Sequence, residues 1–189
     1  MSPPDAGALH AAALRHLSRY AATAAGLTQV LDRRIKRWAD AALAEGADRA
    51  DVDASANAAR QAARTVVERL VQAGAVDDAG FAAARAARLA RTGRSRRAAA
   101  AHLAARGIDE ETARAALSSG PANELASALV LARRRRIGPF RAGPAPVDAE
   151  SRRRELAIFA RAGFPRDIAE RVLETSADDA RELVAQLLW

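Results

Sequence analysis

Asp77 and Asp78 are the acidic pair with the most distinctive setting in this chain of 189 residues. Adjacent carboxylates can hold a divalent cation or divide acid and base work between them. Ahead of an apolar helical run, however, the simpler reading is that one of them caps the helix. His10 and His16 are six residues apart, not the four that would put two imidazoles on one helix face to bind zinc. His102, between Ala101 and Leu103, reads as a helix position bordering a core or a basic face. Cysteine is absent, which removes thiolate nucleophiles, disulfides, iron–sulfur clusters and thiolate zinc sites together. No glycine-rich phosphate loop, nucleophile elbow or dinucleotide fingerprint occurs. The residues therefore predict a protein without catalysis, cofactor or metal.

Charge is the other source of chemistry. The net charge is +7, and Lys36 is the lone lysine among 30 basic residues. Residues 82–106 hold Arg85, Arg88, Arg91, Arg94, Arg96, Arg97 and Arg106 without an acid. After an acidic stretch, residues 133–147 hold Arg133, Arg134, Arg135, Arg136 and Arg141 unopposed, and Arg152, Arg153 and Arg154 extend that block. At about 100° per helical residue, Arg85, Arg88 and Arg91 fall within roughly a 120° arc and share a face. Arg94, Arg96 and Arg97 crowd the next helix start, where positive charge opposes the helix dipole; with no acid nearby in sequence, that start reads as built for phosphate. The competing reading is a solvated surface in an arginine-biased composition. Aromatic residues are 4% of the chain, too few for a base-stacking platform.

Apolar residues recur at i, i+3 and i+4, and no stretch alternates with period two, so the elements that carry these residues are predicted to be all-α. Of the residues, 53 are alanine, which predicts thin, alanine-packed helical layers. Leu9, Leu14 and Leu17 mark a first helix; Leu27, Val30, Leu31 and Trp38 a second; Val66, Val67, Leu70 and Val71 a third, with residues 45–57 as a connector. Gly74, Gly93, Gly107 and Gly163 read as helix stops. Asp77 or Asp78, Ser95, Asp109 and Ser176 read as starts, Ser176 with Asp179 as a capping box. Another set of helices is expected from Pro121. Residues 138–146, with three prolines and two glycines, predict a long loop in which Phe140 either anchors outward or folds back on the core. The lack of a long apolar run or a signal-like N-terminus predicts a soluble, cytoplasmic protein away from membranes. Unequal repeats without a sustained heptad predict a monomer.

Repetition is faint: Arg106-Gly107-Ile108 followed by Thr112-Ala113 and Leu117 matches Ala162-Gly163-Phe164 followed by Ile168-Ala169 and Leu173, at a shift of 56 residues. The series Asp77-Asp78-x-x-Phe81-Ala82, Arg85, Arg88, Gly93 and Leu103-x-x-x-Gly107-Ile108 resembles the central repeat of the RecX family, regulators of the RecA recombinase. Arg133-Arg-Arg-Arg-Ile-Gly-Pro-Phe-Arg141 and Arg161-Ala-Gly163-Phe164-x-x-x-x-Ala169 look like the third repeat of its alphaproteobacterial members. Leu14-x-x-Leu17-Ser-Arg19 and Thr23-x-x-Gly26-Leu27 resemble the first. The resemblance covers about residues 9–175; order and spacing carry it more than any one motif. It departs at Gly26, where the family usually has an acidic or amide residue, and at Ala98 and Ala99, near an expected Ile.

The resemblance implies an elongated array of tandem three-helix, helix-turn-helix-like units. It divides the chain at 1–65, 66–120 and 121–189, the last with a Gly/Pro loop at 137–147. It further implies a non-enzymatic protein that lies in the groove of the RecA filament and opposes RecA's ATPase, strand-exchange and coprotease activities in DNA repair and the SOS response. Arg85, Arg88, Arg91, Arg94, Arg96 and Arg97 are then expected to face DNA phosphates or acidic RecA surfaces, with Arg133, Arg134, Arg135, Arg136 and Arg141 as a second contact. Weak, salt-dependent binding to single- and double-stranded DNA follows. Asp77, Asp78, Phe81, Gly93, Leu103, Gly107, Gly163 and Phe164 are expected to act structurally. Two rivals are a helix-turn-helix DNA reader built on residues 95–117, whose second helix would open on the acids Asp109, Glu110 and Glu111, and a scaffold that binds protein alone.

Overall fold

The structure, a computed structural model, describes residues 2–118, 124–142 and 148–188. Among them are ten α-helices and one short 3-10 turn, with no strand. The helices are α1 (Ala6–Leu17), α2 (Ala24–Ala44), α3 (Arg49–Gln72), α4 (Asp78–Arg91), α5 (Arg96–Ala104), α6 (Glu110–Ser118), α7 (Glu124–Arg135), α8 (Ala149–Ala162), α9 (Arg166–Glu174) and α10 (Ala177–Leu188). The chain divides into two compact units, residues 1–81 with 106–108, and residues 82–105 with 109–189.

In the first unit α2 and α3 form a hairpin with α1 packed against both. The stretch 45–57, expected as a connector, is mostly helix: α2 ends at Ala44, and α3 begins after Asp48, whose carboxylate accepts from Ala50 N–H at 2.8 Å. Alanine makes the helix there without a large apolar residue to announce it. Along α3 the buried residues Val52, Ala56, Ala59, Ala63, Val66 and Leu70 recur at spacings of four and three, the seam of a coiled coil. Its partners are within the chain, chiefly Leu27, Leu31, Ile35 and Trp38 of α2, with Leu9 and Ala13 of α1. Small seam residues let the helix axes approach closely, which is how so few large side chains exclude water. Val71, expected in this stripe, is exposed, as is Leu14 of α1. The 65/66 division read from sequence lies inside α3, which runs unbroken past it.

The second unit is built around α7. Leu125, Ala126, Ser127, Ala128, Leu129, Val130 and Ala132 are all buried, so this helix is covered on nearly every side. Helices α9 and α10 and the 3-10 turn Gly138–Phe140 pack on it, α8 packs on α9, and α5 on α6. Phe159 is fully buried and meets Phe164 edge-on at 6.1 Å between ring centres. Phe140 folds back against this core. The helices expected from Pro121 open at Glu124 among the described residues; Pro121 itself and residues 143–147 of the Gly/Pro loop lie outside them.

Helix punctuation follows the local chemistry read from sequence. Gly74, Gly93, Gly107 and Gly163 all have positive φ. Asp77 accepts from Gly80 N–H (2.8 Å), Ser95 from Ala98 N–H (3.2 Å) and Asp109 from Thr112 N–H (2.8 Å). Ser176 accepts from Asp179 N–H (3.2 Å) and donates to its carboxylate (2.8 Å). Each such cap stabilises its helix by about 1 kcal/mol.

Candidate phosphate and partner interface

In the first unit the family-type residues converge on the start of α2. Thr23 is buried; its hydroxyl accepts from Gly26 N–H (2.9 Å) and donates to Arg106 carbonyl (2.7 Å). The Asp78 carboxylate accepts from Ala24 N–H at 2.9 Å. Gly26 cannot supply the return half of a capping box; Asp78, fifty-four residues beyond Ala24, satisfies another donor at the same helix start. Gly107 lies so close that a Cβ there would fall well inside contact distance of Ala25 Cβ. Asp77 and Asp78 thus serve two different helix starts.

In the second unit most of the arginine blocks lie on the surface: Arg88, Arg91, Arg94, Arg96, Arg97, Arg133, Arg134, Arg135 and Arg136 are exposed. Arg85 is half-buried, and its Nε donates to His102 Nε2 at 2.8 Å. His102 therefore has a partner that sequence reading did not supply, and its position bordering the basic face is the one expected. Leu103 beside it is fully buried.

The α5 start departs from its expectation. The Glu124 carboxylate, at the first turn of α7, accepts from Arg96 N–H at 3.1 and 3.0 Å and lies 3.6 Å from Arg96 Nε. An acid 28 residues away in sequence thus fills the site that local charge left to phosphate. Burial pushes the Glu124 carboxyl above its usual range, and the Arg96 hydrogen bond and charge oppose the shift. Ser95, also fully buried, donates to Ala162 carbonyl at 2.8 Å and so ties the α5 start to the α8 end. Arg141 departs as well: it turns inward and pairs with the buried Glu155.

What sequence separates, the fold joins. A cleft of about 720 Å³ is lined by Thr92, Gly93 and Arg94 of the α4–α5 turn, Leu131, Arg134 and Arg135 of α7, and Ile158, Arg161 and Ala162 of α8. Both arginine blocks contribute, with no acid in the lining. Gly93 makes the approach possible, because a Cβ there would sit 2.9 Å from Leu131 N. Arg134 donates to Thr92 carbonyl at 2.8 Å across the cleft. Arg161 enters the sequence pattern only as part of a motif; its distance from both arginine blocks along the chain hides its place in this cluster.

Arg136, just after the end of α7, has φ +55°, the one non-glycine with positive φ among the described residues. This conformation costs a bulky residue about 1 kcal/mol or more. The Arg136→Gly variant is expected to be more stable by about 1 kcal/mol in urea titration. Unchanged stability would show that Arg136 holds this conformation without strain.

The exposed acids of α6 bear on the helix-turn-helix rival. Glu110 and Glu111 occupy its first turn and Asp109 its cap, presenting carboxylates where a recognition helix meets phosphate.

Residues 77–117 match the family model for the second three-helix domain of RecX. The Regulatory protein RecX of Myxococcus xanthus is 35% identical over 89% of this chain and 85% of its own. That of Agrobacterium fabrum is 32% identical over 59% of this chain and 58% of its own, and that of Thermobifida fusca 42% over 57% of each.

Proposed function

The chain belongs to the RecX family, and from that membership we propose that it binds the RecA nucleoprotein filament and restrains RecA's ATPase, recombinase and coprotease activities. It is a member of a family of regulatory proteins. The observation that carries the reading is the meeting of members of both arginine blocks, Arg94 with Arg134 and Arg135, in one cleft with no acid in its lining. Such a surface suits the phosphate track or the acidic walls of a filament groove. Arg88, Arg91, Arg94, Arg97 and Arg133 to Arg136 make that contact, Arg85 beside His102 extends it, and Arg96 shares its charge with Glu124. Arg141 supports the surface from within. The protein acts as a monomer in the cytoplasm; no described helix is long and apolar enough to cross a membrane.

Hydrolysis of ATP by RecA on single-stranded DNA, with RecA from the same genome, is expected to fall at well below one protein per RecA. The triple reversal Arg88→Glu, Arg94→Glu and Arg97→Glu is expected to abolish that inhibition while the circular-dichroism spectrum stays helical. Each duplex phosphate neutralised adds about −0.9 to the slope of log affinity against log salt. Full RecA activity in the presence of a folded, DNA-binding protein would replace this reading by that of a plain helical DNA-binding protein.

A further inference from the structure

We propose that the cleft between the α4–α5 turn, α7 and α8 is a slot for one or two consecutive nucleotides of single-stranded nucleic acid, with Arg161 of α8 as one of its phosphate-binding residues. The inference deepens the reading above, on which it rests in taking nucleic acid as a partner; it adds which form enters and where.

An arginine-rich surface alone does not explain the cleft. In the same unit Arg114, Arg141, Arg152, Arg154, Arg166 and Arg181 each pair with a carboxylate. Among the described residues, Arg88, Arg91, Arg97, Arg133, Arg136 and Arg153 are exposed without an ion pair, and so are Arg94, Arg135 and Arg161; these last three gather in one concavity with Arg134, which bonds a backbone carbonyl. Like charges gathered in one concavity repel, and an anion seated among them relieves the repulsion. The Arg134 bond to Thr92 holds one guanidinium in place and leaves further donors of its planar fork for phosphate oxygens.

The lining also selects among anions. Leu131, Ile158 and Ala162 add apolar surface to a cationic cleft of about 720 Å³, within the range of small-ligand sites. A nucleotide, anionic on one side and with a base and sugar on the other, matches that division; inorganic phosphate uses only half of it. A duplex displays its phosphates on a stiff convex surface whose major groove alone is about 12 Å wide, so it can touch the rim without entering. A flexible strand can thread in.

The test is anisotropy of a labelled mixed-sequence oligonucleotide of about a dozen residues, single-stranded and as its duplex, titrated without RecA. Arg161→Ala and Arg135→Ala are each expected to weaken single-strand binding about tenfold. Each should also flatten the salt slope by about 0.7 for every phosphate no longer neutralised. Arg153→Ala, an exposed α8 residue outside the cleft, is expected to stay within about twofold. A trinucleotide is expected to compete better than pyrophosphate. Arg161→Lys, which keeps stem and charge, should fall between wild type and alanine, and matching thermal melts establish that each variant is folded. The slot is overturned if Arg161→Ala and Arg135→Ala behave like Arg153→Ala, or if duplex binding is as strong and suffers equally. Loss of strand binding with RecA inhibition intact would confirm the slot and separate it from filament control; the reverse would leave filament control without the slot.

Discussion

Gly107→Ala is expected to destabilise the protein by about 3 kcal/mol in urea titration followed through Trp38, which lies in the core of the same unit. Two causes combine. Residue 107 has φ +75°, costly for any side chain with a Cβ, and the added methyl would collide with Ala25 at the start of α2. Gly74 separates the two causes, since it has φ +69° but nothing within 4 Å of an added Cβ. Gly74→Ala is therefore expected to cost about 1 kcal/mol, the conformational part alone. The difference measures how tightly the 106–108 turn is held to α2 by Thr23 and its neighbours. Equal losses at the two positions would mean that the turn yields freely.

Arg141→Ala is expected to cost about 2–3 kcal/mol, because it leaves the Glu155 carboxylate buried without its cation. The Glu155 side chain is 9% exposed; one of its oxygens takes Arg141 and lies 3.4 Å from Gly138 N–H, and the other, Oε2, is buried without a hydrogen-bond partner. Removing both charges in Arg141→Ala/Glu155→Leu should recover much of the loss, since no ion then remains in the interior. Urea titrations of the two singles and the double form the measuring cycle. A double variant no better than Arg141→Ala would show that Arg141 acts by packing rather than by charge.

Sequence carried this fold as far as interactions reach within one helical turn. Asp77, Ser95, Asp109 and Ser176 each cap a helix using a donor three residues on, so residue type and position sufficed. The glycine stops were equally local. The α3 start was missed because Ala56 and Ala59 signal burial only once a partner helix lies against them. Glu124 reaches Arg96 across 28 residues and Asp78 reaches Ala24 across 54, distances at which segment charge says nothing about pairing. The site divides the same way. Both arginine blocks stood out in the sequence, but which members are neutralised, as Arg141 is, and which gather in a cleft with Arg161, depends on how α7 and α8 are placed.

The alanine seam of α3 also bears on how the protein meets temperature. Unfolding a core of leucine and phenylalanine exposes wide apolar surface, and the hydration of that surface gives unfolding its large heat capacity. Ala56, Ala59 and Ala63 release little such surface while still closing the hairpin. The stability of this unit should therefore trace a flatter curve against temperature than that of a leucine-cored helical hairpin of equal length, with its maximum spread over a broader range and less weakening on cooling.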